Sequence, residues 1–517
     1  MADDSSAAPS EFAAVVRRAW AHSLDGGPFS DDDDFFASGG DSLSALAAAS
    51  YVATATGLDI PALWLYENPC LEEAVRALAA AAGEGLAPIE PQERAGAHPL
   101  SFQQEGLLRV MDHIRAGHRY QVAYAVELPD SVDEGRLAAA VTRLASRHPA
   151  LTTRITGAGE LARQEVTGAA GLELEPLRAM CPDDPVAATK LWAAASVIDL
   201  DAPLARFAVI GSGSQRVLAL VAHQMVVDPW SWGLLLRDLA VLYHNPDADG
   251  GPALAYSDYA RWQRRHLTGP AYEHHLSHWR RTTEGYPAGG VPLPGPRGEV
   301  PAAGAGPAAR LPLAVPAEHT QALHTAGQMM GASLFEVFLS LFHLAVSRWA
   351  GTSDVLVASA TASRTRPGSE SIAGFFVNGR FTRTALTELR TFGDLIGHVR
   401  DVWRAGDPHR ELHLEKVLFD LGRPDMANIK FSVNAIPTLT GLTLAGEPMR
   451  LVSVPGARSA RRHISVGLAP DAGGGLSGAL TYRTDLLVPA QVRALVQEFL
   501  TLCSSAAHAP ATARITR

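Results

Sequence analysis

One loop in the sequence gathers residues that can do acid–base chemistry. The stretch ALVAHQMVVDPWSWG, residues 219–233, carries His223, Gln224 and, five residues after the histidine, Asp228. A histidine can take up or release a proton near neutral pH. A glutamine amide donates and accepts hydrogen bonds, but it cannot accept a proton in that range. The same pattern also fits a histidine bonded to backbone at a strand end, followed by an aspartate that caps the next helix.

Two predicted elements hold this loop in place. Residues 216–222, RVLALVA, are continuously apolar, as expected of a strand covered on both faces. After the loop, Leu235, Leu239, Leu242 and Tyr243 recur on one helical face. The loop is therefore predicted to be a strand-to-helix junction, where side chains can project into a cleft.

A serine at a predicted helix start is the second chemical position. In DDDDFFASGGDSLSAL, Gly39 and Gly40 permit a tight turn, and Asp41 and Ser42 open a helix whose apolar stripe begins at Leu43. A serine or aspartate there would also serve simply as a helix cap. A hydroxyl at an exposed helix start is accessible to a modifying enzyme, and an attached phosphate would lie near the positive end of the helix dipole.

The chain divides into five predicted parts. A small unit of three helices is followed by a stretch rich in Gly, Pro and charge, which is typical of a linker. Strand-like and helical stretches then alternate over about 400 residues, too many for one compact core, and a second Pro- and Gly-dense stretch separates them into two lobes. The parts are a helical domain at 10–82, a linker at 83–98, a first lobe at 99–283, an inter-lobe linker at 284–310 and a second lobe at 311–510.

Composition excludes several classes of protein. The 517 residues are 47% hydrophobic and 19% charged, which is typical of a core-forming soluble chain. A net charge of −10 argues against nucleic acid or an anionic membrane as the main partner. Cys70, Cys181 and Cys503 lie far apart without metal-ligand spacing, so we expect reduced thiols, a cytoplasmic protein and no metal at the site. We expect no secretory signal and no membrane span, because no apolar run has the required length.

The first domain resembles the peptidyl carrier domain of nonribosomal peptide synthetases. The resemblance rests on GGDSL, on its acidic-aromatic approach and on DIPALWLYENPCLEEAV in the later helices, and covers about residues 10–82. It implies that Ser42 bears a covalently attached 4′-phosphopantetheine. It also implies a phosphopantetheinyl transferase as a partner. Because no adenylation domain accompanies the carrier, we expect an adenylation enzyme acting in trans.

The rest of the chain, about residues 99–510, resembles a nonribosomal peptide condensation domain. The resemblance rests on a series of motifs in the expected order: HPLSFQQEGLL, RHPALTTRI (147–155), the loop with His223, YSDYARWQ (256–263), IAGFFVNGRFTR (372–383), HRELHLEKV (409–417) and RPDMANIKFSVN (423–434). It implies an α+β fold in which two chloramphenicol-acetyltransferase-like lobes meet in a V around a tunnel. A carrier-tethered donor and an acceptor, either on a second carrier or as a free amine, would enter from opposite faces.

The loop departs from the family pattern His-His-x-x-x-Asp-Gly. His223 and Asp228 match, but Gln224 occupies the second-histidine position and Pro229 replaces the glycine. In the family the second histidine touches the attacking amine, and the aspartate lies in a buried ion pair. Thr152 stands where an arginine is common, which leaves three candidate partners for Asp228. These are Arg147, Arg154 and Arg380.

Two functions follow from these features. In the first and favoured one, the domain forms amide bonds, Gln224 orients the amine, and another base such as His463 removes the proton. In the second, the domain is degenerate and acts as a docking platform for partner enzymes, as do the recruitment domains of glycopeptide synthetases. Heterocyclization domains, which have aspartate where His223 stands, and epimerization domains, which keep both histidines, fit less well.

Overall fold

The computed structural model describes most of the chain. The described residues are 8–24, 27–40, 42–56, 58, 60, 64–83, 88–93, 96–114, 120–168, 172, 174–177, 184–212, 215–248, 251–294, 304–361, 363–364, 366, 368–433, 442–452, 459–471, 473–509 and 511–515. Cys181 and Asp41, named above, lie outside them.

Four helices form the N-terminal bundle. They are α1 (Ala8–Ser23), α2 (Ser42–Thr56), α3 (Trp64–Glu67) and α4 (Leu71–Gly83). Apolar residues spaced for one helical face, among them Val16, Trp20, Val52 and Leu71, are fully buried in a core of their own. The bundle lies against the second lobe, where Asp34 is 3.5 Å from His324 and Glu73 is 3.0 Å from Arg404.

The next part of the chain alternates strands and helices. Its elements are β1 (Ala97–Pro99), α5 (Phe102–Ile114), β2 (Gln121–Leu128), α6 (Glu134–Arg147), β3 (Thr153–Thr156), β4 (Arg163–Val166), β5 (Leu174–Leu177), α7 (Pro185–Ala195), β6 (Ala205–Ser212), β7 (Gln215–His223), α8 (Pro229–His244), α9 (Tyr256–His266) and α10 (Gly269–Thr282). The predicted strand and the helix after it are confirmed as β7 and α8. Strand β7 lies between β2 and β6, and its apolar residues on both faces are buried in the first hydrophobic core.

The last part of the chain repeats this alternation. Its elements are β8 (Gly306–Val315), α11 (Ala317–Met329), α12 (Leu334–Ala350), β9 (Asp354–Thr361), β10 (Asn378–Ala385), α13 (Phe392–Ala405), α14 (Leu414–Asp420), β11 (Ile429–Val433), β12 (Thr443–Leu444), β13 (Glu447–Pro448), β14 (Leu451–Val452), β15 (Ser459–Ala460), β16 (Ile464–Pro470), β17 (Leu476–Arg483) and α15 (Pro489–His508). Helix α12 begins at a capping box of Ser333 and Glu336 and ends at Gly351, whose φ of 65° is left-handed.

Two main sheets organise the two lobes. The first lobe has a five-stranded sheet in the order β14-β2-β7-β6-β5, and the second a seven-stranded sheet in the order β10-β9-β11-β16-β17-β8-β15. Each sheet has its own hydrophobic core, and α12 and α15 pack against each other in the second. These are the two α/β lobes that the resemblance implied.

Segments from the later part of the chain join the earlier lobe. Strand β14 pairs with β2 antiparallel, so that Leu451 lies opposite Val126. Ile372 and Phe376, just before β10, are buried in the first core. The lobes are therefore interlocked, and the segment before β10 brings residues of the later part of the chain to the loop after β7.

In the described part of the chain, no single helix is long and apolar enough to cross a membrane. Helices α11 and α12 reach the length and apolar composition of a membrane span only when taken together, and the chain bends by 104° between them. Most of α12 is buried inside the second lobe.

Candidate active site

The loop after β7 is held at both ends. The backbone N–H of His223 donates to the carbonyl of Leu204 at 2.8 Å, which extends the pairing of β7 with β6. At the other end Asp228 is the N-cap of α8, and its Oδ1 accepts from the backbone N–H of Ser231 at 2.8 Å. The predicted strand-to-helix junction is thus confirmed, and the capping role expected of an aspartate here is present.

His223 lies inside the protein. Its side chain is fully buried, and Nδ1 accepts from the backbone N–H of Met225 at 3.3 Å. A neutral imidazole that accepts at Nδ1 carries its proton on Nε2. His223 therefore shapes the turn by a backbone bond, as a histidine at a strand end often does.

Gln224 is the partly exposed member of the loop. It is half-buried, whereas His223 and Met225 on either side of it are fully buried. Its backbone N–H donates to the carbonyl of Tyr120 at 2.8 Å. The phenol of Tyr120 lies near Arg461, Glu415 and Arg462 of the second lobe, and burial raises its pKa to about 12. Gln224 is thus bonded to Tyr120, and the side chain of Tyr120 faces charged residues of the other lobe.

Asp228 is paired with Arg364. The guanidinium Nη2 lies 3.0 Å from Oδ1 and 3.2 Å from Oδ2, and both side chains are buried. The prediction that one of three other arginines pairs with Asp228 is wrong, because each of them lies closer to another acid. Arg147 lies by Asp238, Arg154 binds Glu165 and Arg380 binds Asp407.

Arg364 also ties the loop to the segment before β10. Its Nη1 donates to the carbonyls of Ser369 at 2.5 Å and Ile372 at 2.7 Å. Its guanidinium carbon lies 4.1 Å from the centre of the Phe376 ring. Its Nη2 also donates to Ser231 Oγ at 3.0 Å, so five acceptors and an aromatic face around one cation offset part of the cost of removing its charge from water.

The motif IAGFFVNGRF supplies further bonds to the loop. The backbone N–H of Phe376 donates to Asp228 Oδ2 at 3.1 Å, and that of Gly374 donates to Ser231 Oγ at 2.9 Å. A Cβ at Gly374 would lie 2.1 Å from the ring of Tyr256, so only glycine fits there. The two motifs, 140 or more residues apart, form one hydrogen-bonded unit.

A charged cluster of the second lobe faces Tyr120. Glu415 binds Arg461 at 2.6 Å and Arg462 at 2.5 Å. Burial opposes the charge on Glu415, but the two arginines overcome it and hold its pKa at about 2. Lys430, on β11, also lies near Arg462, and burial together with that repulsion lowers its pKa to about 8. Sequence reasoning gave no role to any of these residues: Lys430 and Glu415 were named only within motifs, and Arg461 and Arg462 were not named.

His463 is a poor proton acceptor. Burial and the charge of Arg483 lower the pKa of its imidazole to about 4. Its Nδ1 lies 3.1 Å from the amide nitrogen of Asn428, which can only donate. The remaining nitrogen then carries the proton, so neither is available as a base.

Ser42 is the first residue of α2, and its side chain lies outside the described residues. The turn before it is open, because Ala37 and Gly39 are exposed and a Cβ at Gly39 would meet nothing within 4 Å. An exposed turn that leads into a helix of 15 residues fits the attachment of a phosphate-linked arm.

Comparison with known families decides the identity of both parts. The model for the condensation domain matches residues 94–514, and that for the phosphopantetheine attachment site matches residues 14–78. The chain belongs to the condensation domain family. Its N-terminal bundle is a phosphopantetheine-binding carrier, so the predicted order of carrier and condensation domain is confirmed.

Relatives of this condensation domain are parts of much longer synthetases. A component of linear gramicidin synthase from Brevibacillus parabrevis is 29% identical over 96% of this chain, which covers 7% of that protein. Malpinin synthetase from Mortierella alpina is 28% identical over 79% of this chain and 5% of its own length. The chain thus spans less than a tenth of either relative.

Solved structures confirm the fold. The X-domain from teicoplanin biosynthesis covers 83% of this chain and 98% of its own, with a TM-score of 0.70 and 22% identity. The first condensation domain of the calcium-dependent antibiotic synthetase, in complex with a substrate analogue, covers 82% of this chain and all of its own, with a TM-score of 0.66 and 19% identity. The carrier and the two chloramphenicol-acetyltransferase-like lobes therefore form the α+β architecture that the sequence predicted.

Proposed function

We propose that the condensation domain forms an amide bond in nonribosomal peptide synthesis. The donor acyl group would be carried on the arm at Ser42 and the acceptor would be an amine. The observation that carries this proposal is the loop of His223, Gln224 and Asp228. The bonds to Asp228, Arg364 and Phe376 hold its backbone, and position 224 is its half-exposed member.

The phosphopantetheine arm, when attached, supplies a thioester whose carbonyl an amine attacks to form the amide, with release of the thiol. A phosphopantetheinyl transferase attaches the arm, and adenylation chemistry supplies the acyl group that the arm carries. The acceptor is a second carrier or a free amine. The resemblance of both domains to synthetase modules supports these partners.

Gln224 orients the attacking amine in this proposal. An α-amino group titrates near 7.7–8.0, so about a tenth of it is neutral and nucleophilic at pH 7. The glutamine carbonyl can accept a hydrogen bond from that amine, and orientation alone can supply several kcal/mol. A histidine at this position could act as a general base, which contributes a factor of about 10²–10⁴ in rate. Gln224 cannot act as a base and does not provide that factor.

Lys430 is the group best suited to take up the released proton. With a pKa of about 8, roughly a tenth of it is neutral at pH 7. Its neighbours on adjacent strands are Ser465 and Ala358, on the sheet face away from the buried Phe431. Arg462 and Glu415 act on both Lys430 and Tyr120, whose carbonyl binds the backbone of Gln224. Lys430 thus lies on the second-lobe side of the same region.

The test is single-turnover transfer followed by intact-protein mass spectrometry. Ser42 is loaded with acyl-pantetheine, and candidate amines or aminoacyl carriers are added. We expect Gln224→Ala to slow transfer at least tenfold and Gln224→His to retain it, while Ser42→Ala accepts no arm. Transfer at the wild-type rate by Gln224→Ala would overturn the role of the glutamine.

A docking platform is the second function to test. Structures similar to this domain include the complex of the X-domain and OxyB from teicoplanin biosynthesis, with a TM-score of 0.71. A platform would show no transfer with any amine or any residue at position 224, and would bind a partner enzyme equally well in all of these variants. Binding is measured with the loaded carrier present, so that both functions are tested on the same protein.

A further inference from the structure

Four histidines meet where α10 crosses the second lobe. His274, His275 and His278 lie on α10, and His409 lies in a 3-10 turn of residues 407–409. Nδ1 of His275 is 3.2 Å from Nδ1 of His409. One ring nitrogen from each of His274, His275 and His409 falls within 4.8 Å of the others.

These distances suit a shared cation. Zinc binds imidazole nitrogen at about 2.0–2.1 Å, so two ligands of a tetrahedral site lie about 3.3 Å apart. The pair of His275 and His409 already has that spacing. His274 is exposed, so rotation of its side chain can bring its nitrogen closer and leave a fourth position open to solvent. His278 stacks flat on His409, with ring centres 4.0 Å apart, and supports the orientation of that ring.

We propose that His274, His275 and His409 bind a divalent transition metal, with zinc as the ion that tests the site. Neutral imidazole is a good ligand for zinc, copper and nickel, and a poor one for calcium and magnesium. Our expectation of no metal was based on the spacing of the cysteines. Spacing along the sequence does not reveal the histidine site, because His409 lies 134 residues after His275.

The metal would join the two lobes. Helix α10 ends the first half of the chain, and the turn with His409 belongs to the second. Trp279 of α10 already donates from Nε1 to the carbonyl of His409 at 3.2 Å, and its ring packs on Phe381 of β10. A cation held by two residues of α10 and one of the turn would fix this crossing. It would take no part in the transfer, because none of its ligands belongs to the loop with Gln224.

The test uses the full chain without an affinity tag that contains histidine. Zinc is titrated in competition with a chromophoric chelator, and the melting temperature is recorded with zinc and with a chelator alone. We expect one zinc per chain and a rise of several degrees when zinc exceeds its dissociation constant about a hundredfold. Cobalt in place of zinc should give the visible absorption of a tetrahedral site.

Variants locate the site. The exposed His274→Gln should weaken zinc binding at least tenfold without unfolding the chain, and His409→Gln should abolish both binding and the temperature shift. His266→Gln, at the end of α9 with Nδ1 2.9 Å from the carbonyl of Trp262, is the matched control and should bind zinc as the wild type does. No binding by the folded wild type, or equal binding by all variants, would overturn the proposal.

Discussion

The ion pair of Asp228 and Arg364 gives the sharpest prediction. Both side chains are buried, and Arg364 makes bonds to Asp228 and to the carbonyls of Ser369 and Ile372. Replacement by methionine keeps most of the volume and the contact with Phe376, but it removes the positive charge. Loss of one member of a buried pair leaves an uncompensated charge, which costs about 3–5 kcal/mol. We expect Arg364→Met to lower the free energy of unfolding by that amount.

Urea unfolding followed by tryptophan fluorescence measures this loss. Trp230 is a local reporter, because its indole donates to the carbonyl of Glu370 at 3.0 Å and its ring lies 5.8 Å from Arg364. The difference in fluorescence between proteins with Trp230 and the same proteins carrying Trp230→Phe reports the unfolding of this lobe. Adding Asp228→Asn completes a double-mutant cycle, and direct coupling predicts that the double variant loses less than the two single losses combined.

An exposed pair provides the matched control. Arg154 binds Glu165 at 2.9 Å, but its side chain is 42% exposed, so Arg154→Met should cost no more than about 1 kcal/mol. Arg364→Met should also lose acyl transfer while Ser42 still accepts its arm, because the carrier has a core of its own. The reasoning is refuted if Arg364→Met costs less than the Arg154 control, or if the cycle shows no coupling.

Three further predictions concern other parts of the chain. Lys430→Arg keeps the charge but cannot become neutral, so it should slow transfer by about tenfold or more. A pH profile of this variant and of Lys430→Gln should keep only the rise between pH 7 and 8 that the acceptor amine itself produces, a shallower rise than that of the wild type. Glu73→Gln should weaken the contact of the carrier with Arg404 by up to about 1 kcal/mol. Amide exchange in α4 should then be up to about fivefold faster than in the wild type, and unchanged exchange would contradict this prediction. His343 is fully buried and neither ring nitrogen has a hydrogen-bond partner among the described residues, and burial lowers its pKa to about 3. As the pH falls below about 6.5, His343 therefore takes up a proton in the unfolded chain but not in the folded one. By pH 5 this difference lowers the free energy of unfolding by about 2 kcal/mol relative to pH 7. His343→Leu should remove that loss, as measured by urea unfolding at both pH values.

Local patterns predicted the elements that hold the site. The apolar run of β7 and the stripe of α8 each depend on residues within one element, so a single sequence reveals them. The carrier motif around Ser42 and the order of the condensation motifs were equally visible. Each of these features is fixed by neighbours in the sequence.

Long-range pairing escaped prediction for a physical reason. Arg364 lies 136 residues from Asp228, in a stretch between β9 and β10 with little regular structure of its own. The three arginines considered instead lie in recognisable elements, where acids of neighbouring elements neutralise them first. His409 and β14 were hidden for the same reason, because their partners are set by how the lobes interlock.

The bonds that hold the loop separate its scaffold from its chemistry. The side chains that position the backbone are those of His223, Asp228, Ser231 and Arg364, and the backbone N–H of Gly374 adds a bond to Ser231. Among the described residues, Gln224 contributes only its backbone N–H to this network, and any residue except proline has one. A change from histidine to glutamine at this position therefore costs the scaffold nothing. It follows that substitutions at 224 should change the rate of transfer without changing stability, whereas those at 228 and 364 should change both.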